Sequence, residues 1–86
     1  MTKTKMFELC KAIVGRHKNG EIITGADEAF VLAVLATHAE AETKLKPGMR
    51  ITVGSAAYGT RCFYLLYEDG TKDDFSYRKC QAPEGF

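Results

Sequence analysis

Two adjacent carboxylates, Asp73 and Asp74, come nearest to a catalytic set in this sequence, because neighbouring acids serve metal-assisted phosphodiester hydrolysis. The pattern goes no further. Neighbours in a strand point to opposite faces, and the other acids close by, Glu68 and Asp69, belong to a turn. His17 and His38 stand apart, with no serine, cysteine or carboxylate spaced to complete a triad or a metal site. His17 lies in a Lys/Arg-rich turn and is expected to be solvated, whereas His38 falls on an apolar stripe and is expected to be partly buried and hydrogen-bonded. The three cysteines show no Cys-x-x-Cys spacing, so neither a zinc knuckle nor a disulfide framework is indicated. Cys62 and Cys80 read instead as small buried hydrophobes. No catalytic residue, metal or cofactor is expected, which leaves binding.

The segment from Arg61 to Cys80 carries the binding signal. It holds five of the nine aromatic residues of the chain together with several cations. Rings interleaved with cations suit single-stranded nucleic acid, whose bases stack on aromatic faces while Lys and Arg meet phosphate. In that reading Arg61, Arg78 and Lys79 contact phosphate, Phe63 and Tyr77 stack or support, and Arg50 and Lys72 add charge on the adjoining strands.

These residues need strands to hold them. Asp69-Gly70 between two aromatic-rich runs is a strong hairpin signal, since the turn positions call for φ > 0. A two-residue turn, the preferred reading, pairs Phe63 with Ser76 and Leu65 with Asp74. It makes Cys62, Tyr64, Leu66, Phe75 and Tyr77 the core face and leaves Arg61, Phe63, Leu65, Tyr67 and Arg78 on the open one. A slip of one residue through a bulged turn would set Phe63 and Leu65 beside Phe75 and Tyr77 instead.

Upstream, Met6, Phe7, Cys10, Ile13 and Val14 mark one face of a helix, with Lys5, Glu8, Lys11 and Arg16 on the other. Glu21-Ile22-Ile23 is a short extended piece. Thr24-Gly25-Ala26-Asp27 reads as a capping-box variant opening a second helix, which carries Phe30, Val31, Val34, Leu35 and His38 and runs on to Leu45, with a Glu40–Lys44 pair at i,i+4. Lys46-Pro47-Gly48 ends it. Met49 to Val53 alternates with a period of two and makes a strand. The expected fold is α+β, with two N-terminal helices packed on one face of a three-stranded antiparallel sheet, and a frayed tail from Gln81 to Phe86.

Composition bounds the class. Eighty-six residues form one domain, residues 1–86, and 45% hydrophobic with 27% charged residues is ordinary for a folded globular chain. A formal charge of +1 gives no global nucleic-acid signature, so any electrostatic case is local. The longest mainly apolar run, Ala29 to Ala36, is far short of the roughly 20 residues that span a bilayer. The Met1–Met6 segment has cations but no apolar region behind them. A cytoplasmic setting without membrane contact is expected.

Arg61-Cys62-Phe63, Asp69-Gly70, Asp74-Phe75-Ser76-Tyr77 and Lys79-Cys80, in that order, resemble the C-terminal signature of the "defective chloroplasts and leaves" (DCL) family. The resemblance extends through Thr24-Gly25, Phe30-Val31, His38, Glu42, Lys44 and Gly48, and so covers about residues 20 to 80. Plant members of that family are associated with chloroplast ribosomal RNA processing. A similar domain ends the largest subunits of plant-specific RNA polymerases, and small stand-alone members occur in bacteria and phages. The resemblance implies an RNA-linked, non-enzymatic role, with a protein-interaction module docking on a polymerase, ribosome or host factor as the alternative. Two places depart from the pattern. His38-Ala39 stands where the family commonly has His-Pro, which would let the second helix run on, and Lys46-Pro47-Gly48 replaces the usual Gly-x-Gly.

Overall fold

The apolar face read from Met6, Cys10, Ile13 and Val14 forms the buried side of a helix, α1, over Lys3–Arg16. Thr2 caps it by accepting the Lys5 N–H at 3.1 Å. Its C-terminal end is closed from a distant strand: the Arg61 guanidinium donates to the Val14 carbonyl at 3.0 Å and to the His17 carbonyl, and its Nε donates to Asn19 Oδ1 at 2.9 Å. One side chain thereby reinforces the last carbonyls of the helix, Val14 also accepting the His17 N–H at 3.4 Å, and places positive charge at the negative end of the helix dipole.

In this computed structural model, which describes residues 1–86, the remaining elements are β1 (Ile22–Ile23), α2 (Gly25–Leu35), α3 (Ala41–Lys44), β2 (Arg50–Ser55), β3 (Arg61–Leu66) and β4 (Lys72–Phe75), with 3-10 turns at Ala57–Gly59 and Tyr77–Lys79. The class is α+β as expected, but the count of elements is corrected to four antiparallel strands in the order β1-β2-β3-β4 and three helices. The extra strand is the Glu21–Ile23 piece, where Ile22 lies opposite Thr52 and Ile23 opposite Ile51, and Thr52 Oγ1 donates to the Glu21 carbonyl at 2.6 Å. Two residues are too few to show a period of two. The extra helix arises because the second helix stops at Leu35 rather than continuing to Leu45. His38 Nδ1 accepts the Glu40 N–H at 2.9 Å, a local side-chain bond that competes with the helical ladder. Thr37 turns outward to the C-terminal tail, accepting the Gln81 N–H at 2.8 Å. The tail is docked rather than frayed: Pro83 is buried and the Phe86 ring meets Phe30 edge-on at 5.5 Å.

The hairpin register is the slipped one. Tyr67 N donates to the Thr71 carbonyl and Gly70 N to the Tyr67 carbonyl, each at 3.0 Å, closing a three-residue Glu68-Asp69-Gly70 loop with Gly70 at φ 87°. This is a turn followed by a left-handed glycine bulge, a conformation that Gly adopts without steric cost. It places Phe63 opposite Phe75 and Leu65 opposite Asp73. Ile23, Ile51, Val53, Phe63, Leu65 and Phe75 then form the inner face and pack with α1 and α2 residues in one core. Phe63 is fully buried, its ring stacked on Phe75 at 5.4 Å. Tyr64 points to the opposite face, where its ring lies against Gly54 and its hydroxyl donates to the Ser55 carbonyl at 2.7 Å.

Two polar clusters fasten the helices. Lys44 pairs with Asp73 at 2.8 Å and donates to the Asp74 carbonyl at 2.9 Å, in place of the expected pair with Glu40. Asp73 shares the inner face with Leu65, so Lys44 answers a charge that would otherwise be aimed at the core edge. At the other end, His17 is not solvated. Its Nδ1 lies 2.8 Å from Glu21 and its Nε2 3.0 Å from Asp27, while Arg16 Nε donates to Asp27 at 2.9 Å. Asp27 therefore serves α1 rather than a capping box, and Thr24 makes no side-chain cap bond. Hydrogen bonds from Arg16 and His17 hold the Asp27 carboxyl down at about 2, and those to Asp27 and Glu21 raise His17 above its ordinary value.

Three outcomes follow. Phe63→Ala should cost about 3–5 kcal/mol in chemical denaturation, the range for deleting a buried ring. Lys44→Ala should cost about 1–3 kcal/mol by leaving Asp73 and the Asp74 carbonyl unanswered. The imidazolium of His17 contributes fully below its ordinary pKa of 6.5 and loses its contribution as pH rises through its raised folded value, while Asp27 contributes above its ordinary 3.8 and loses this as pH falls through about 2. The melting-temperature gap between the native chain and His17→Asn should therefore be wider at pH 6 than at pH 9.

Candidate nucleic-acid interface

The short fourth strand opens the site. Phe63 opposite Phe75 is the last β3–β4 pair, yet β3 begins two residues earlier at Arg61, so Arg61 and Cys62 have no strand beside them on that side. There the chain turns away: Ser76 Oγ accepts the Arg78 N–H at 3.3 Å and begins the Tyr77–Lys79 turn. The space left over is a groove of about 640 Å³, walled by Lys11 and Gly15 of α1, by Gly59 and Thr60 of the β2–β3 loop, and by Tyr77 and Arg78. A Cβ at Gly15 would meet nothing within 4 Å, so this glycine widens the groove rather than relieving a clash.

Rings and cations meet at the Tyr77–Arg78 wall of this groove, with Phe7 and Lys3 just outside its lining. Phe7 and Tyr77 contact edge-on at 5.8 Å and both are only half-buried. The Arg78 guanidinium lies 5.7 Å from the Phe7 ring and 5.9 Å from Tyr77, and Lys3 Nζ lies 5.8 Å from Phe7. Lys3, Phe7 and Lys11 follow one another at a spacing of four along α1 and so share a face. The ion pairs of the molecule lie elsewhere, leaving Lys3, Lys11 and Arg78 without a carboxylate within 4.0 Å. Asp74 is the one acid among the residues lining the groove.

The residues singled out in the sequence divide. Tyr77 and Arg78 lie at the groove. Arg61 lines it too, but its guanidinium is committed to the end of α1. Phe63 is corrected from the open face to the core and has no surface to offer a ligand. Lys79 is exposed on the other side of the ridge, in a smaller hollow of about 260 Å³ with His38 and Glu40. Arg50 sits at the far end of β2, 3.4 Å from Glu28, and Lys72 lies by the hairpin loop with its Nζ 4.9 Å from the Tyr64 ring. The sequence reading passed over Lys3, Phe7 and Lys11. Their four-residue spacing is the available signal, and Phe7 both packs against the core, as its place on the apolar face implies, and stays partly exposed.

Asp73 and Asp74 point to opposite faces, and no group of three or more His, Cys, Asp or Glu side chains is placed to hold a metal ion. All three cysteines are free thiols. Burial pushes Cys10 up to about 12 and raises Cys62 and Cys80, so none is activated as a thiolate. No helix is long and apolar enough to cross a membrane.

Comparison with known proteins places this surface in context. The chain is 36% identical over 72 residues to DNA-directed RNA polymerase IV subunit 1 of Arabidopsis thaliana, covering 81% of this chain and 5% of that protein. It is 42% identical over 67 residues to DNA-directed RNA polymerase V subunit 1 of the same plant, covering 73% and 3%. The chain thus spans a small fraction of these curated relatives. The solution NMR structure of an uncharacterized protein from Rhodospirillum rubrum shares the fold at a TM-score of 0.80 and 37% identity, over 90% of this chain and 75% of that one. The matched family model extends over residues 11–81, from Lys11 on the groove wall to Gln81 beyond the second 3-10 turn, and the chain belongs to that family, described as "protein of unknown function (DUF3223)".

Proposed function

We propose that this chain binds single-stranded RNA in the groove between α1 and the Tyr77–Lys79 turn, and that it acts by binding rather than by catalysis. The observation that carries this reading is the set of unpaired cations, Lys11 and Arg78 in the groove and Lys3 beside it, around the partly buried Phe7 and Tyr77 rings. Rings and cations at this spacing suit a strand whose phosphates release counterions to Lys and Arg while its bases rest on aromatic edges. The names of the relatives support the reading, since two are subunits of DNA-directed RNA polymerases. The resemblance to the DCL family, with its link to RNA processing, points the same way.

Docking on a polymerase is a second reading. It is favoured by the small share, 5% and 3%, that the matched segment takes of those long subunits, as for an appended module. Salt separates the two readings. Binding of a fluorescently labelled single-stranded RNA, followed by anisotropy, should weaken with salt at a logarithmic slope of about −0.7 per phosphate neutralised. Lys11→Ala with Arg78→Ala should lower affinity about tenfold or more and reduce the slope by about 1.4. The double variant should keep its stability within about 0.5 kcal/mol, because both residues are exposed. Absence of binding at low salt, or an unchanged slope in the double variant, would overturn RNA binding in favour of docking.

A further inference from the structure

Tyr58 has the most exposed ring in the molecule, at 101% of its reference surface. Its backbone lies at φ 60° and ψ 32°, and it is the one non-glycine residue with positive φ. A left-handed conformation is unfavourable for an L-residue. The turn between β2 and β3 imposes it, with Tyr58 and Gly59 both at positive φ and Thr60 N donating to the Ala57 carbonyl, while the ring itself packs on no neighbour. The loop that presents it is nevertheless well tied: Ala56 N donates to the Thr60 carbonyl at 2.8 Å, and Thr60 donates to the Ala57 carbonyl through N at 3.3 Å and Oγ1 at 2.7 Å. The residues on either side of Tyr58 in this loop, Ala56, Gly59 and Thr60, wall the same groove that Lys11 and Arg78 line.

We infer that Tyr58 is a base-stacking platform at the rim of the groove, so that the ligand is a strand with an unpaired base next to the phosphates that Lys11 and Arg78 meet. This rests on the RNA-binding reading and narrows it. A ring held clear of the protein on a hydrogen-bonded loop is poised to stack without first reorganising. The positive groove beside it selects an anionic chain that carries flat rings, which is a nucleic acid with exposed base faces. A duplex keeps those faces in its own stack and offers none to Tyr58.

The test compares a labelled single-stranded RNA with an abasic strand of the same length and phosphate count. The native chain should prefer the base-bearing strand by more than tenfold, since Phe7 and Tyr77 also meet bases, with about tenfold of that preference due to Tyr58, the scale of one base on one ring. Tyr58→Ala should lower the preference about tenfold while binding the abasic strand as the native chain does, with the same salt slope. Tyr58→Phe should keep the preference. Tyr58→Gly takes the left-handed conformation without strain, and so removes the ring with no threat to folding; its unchanged or raised melting temperature confirms that any loss is local. If the native chain binds RNA but Tyr58→Gly and Tyr58→Ala retain the full preference, the platform is overturned and RNA binding stands. If the native chain binds neither strand, both fall together.

Discussion

The stacked pair of Phe63 and Phe75 is the contact on which the rest of this structure depends. A strand pair can shift by one residue at little cost to its backbone hydrogen bonds, but every side chain then changes face. Here the shift is decided by the left-handed Gly70, which lengthens the loop to three residues, and by two rings that meet only in the resulting register. Once Phe63 faces Phe75, Ile51, Val53 and Leu65 face inward with them, and Tyr64 must face out. The same register makes Phe75 the last paired residue of the fourth strand. The groove is the space that strand does not fill.

Arg61 carries this local geometry to the rest of the fold. Standing at the first residue of the third strand, it binds the last carbonyls of α1 and fixes where that helix lies on the sheet. The face of α1 with Lys3, Phe7 and Lys11 is thereby set beside Tyr77 and Arg78. The cations of the chain divide accordingly. Arg16, Lys44 and Arg61 are occupied in holding helices to their neighbours, whereas Lys3, Lys11 and Arg78, like Lys18, Lys46, Lys72 and Lys79 elsewhere, make no ion pair. With a net charge of only +1, it is the placement of Lys3, Lys11 and Arg78 beside Phe7 and Tyr77, rather than the total, that gives the groove its positive character.

The elements with several turns or alternations were legible in the sequence: the first helix, the strand before the small-residue loop, and the hairpin itself. The register was not, because Asp69-Gly70 satisfies a two-residue turn and a bulged three-residue loop equally well, and the choice lies in ring packing across the core. The edge strand at Ile22–Ile23 is too short to show a period, and the end of α2 is set by hydrogen bonds that the His38 and Thr37 side chains accept, which propensity does not encode. Among the candidate site residues, Tyr77 and Arg78 lie at the groove because they follow the hairpin. Phe63 was misplaced with the register. The role of Arg61 as a helix cap depends on residues far away in sequence, and Tyr58 looked like part of an ordinary loop until its backbone angle and full exposure set it apart.

The most direct check on the central claim, that the free cations and rings beside the truncated fourth strand form the ligand surface, is a titration of the isotope-labelled protein with a short single-stranded RNA followed by amide NMR shifts. The account predicts that the perturbed amides cluster at Phe7, Lys11, Tyr58, Gly59, Tyr77 and Arg78, while Thr52, Tyr64 and Leu66 on the opposite sheet face stay in place. Perturbations centred on that opposite face, or none at saturating RNA, would contradict it.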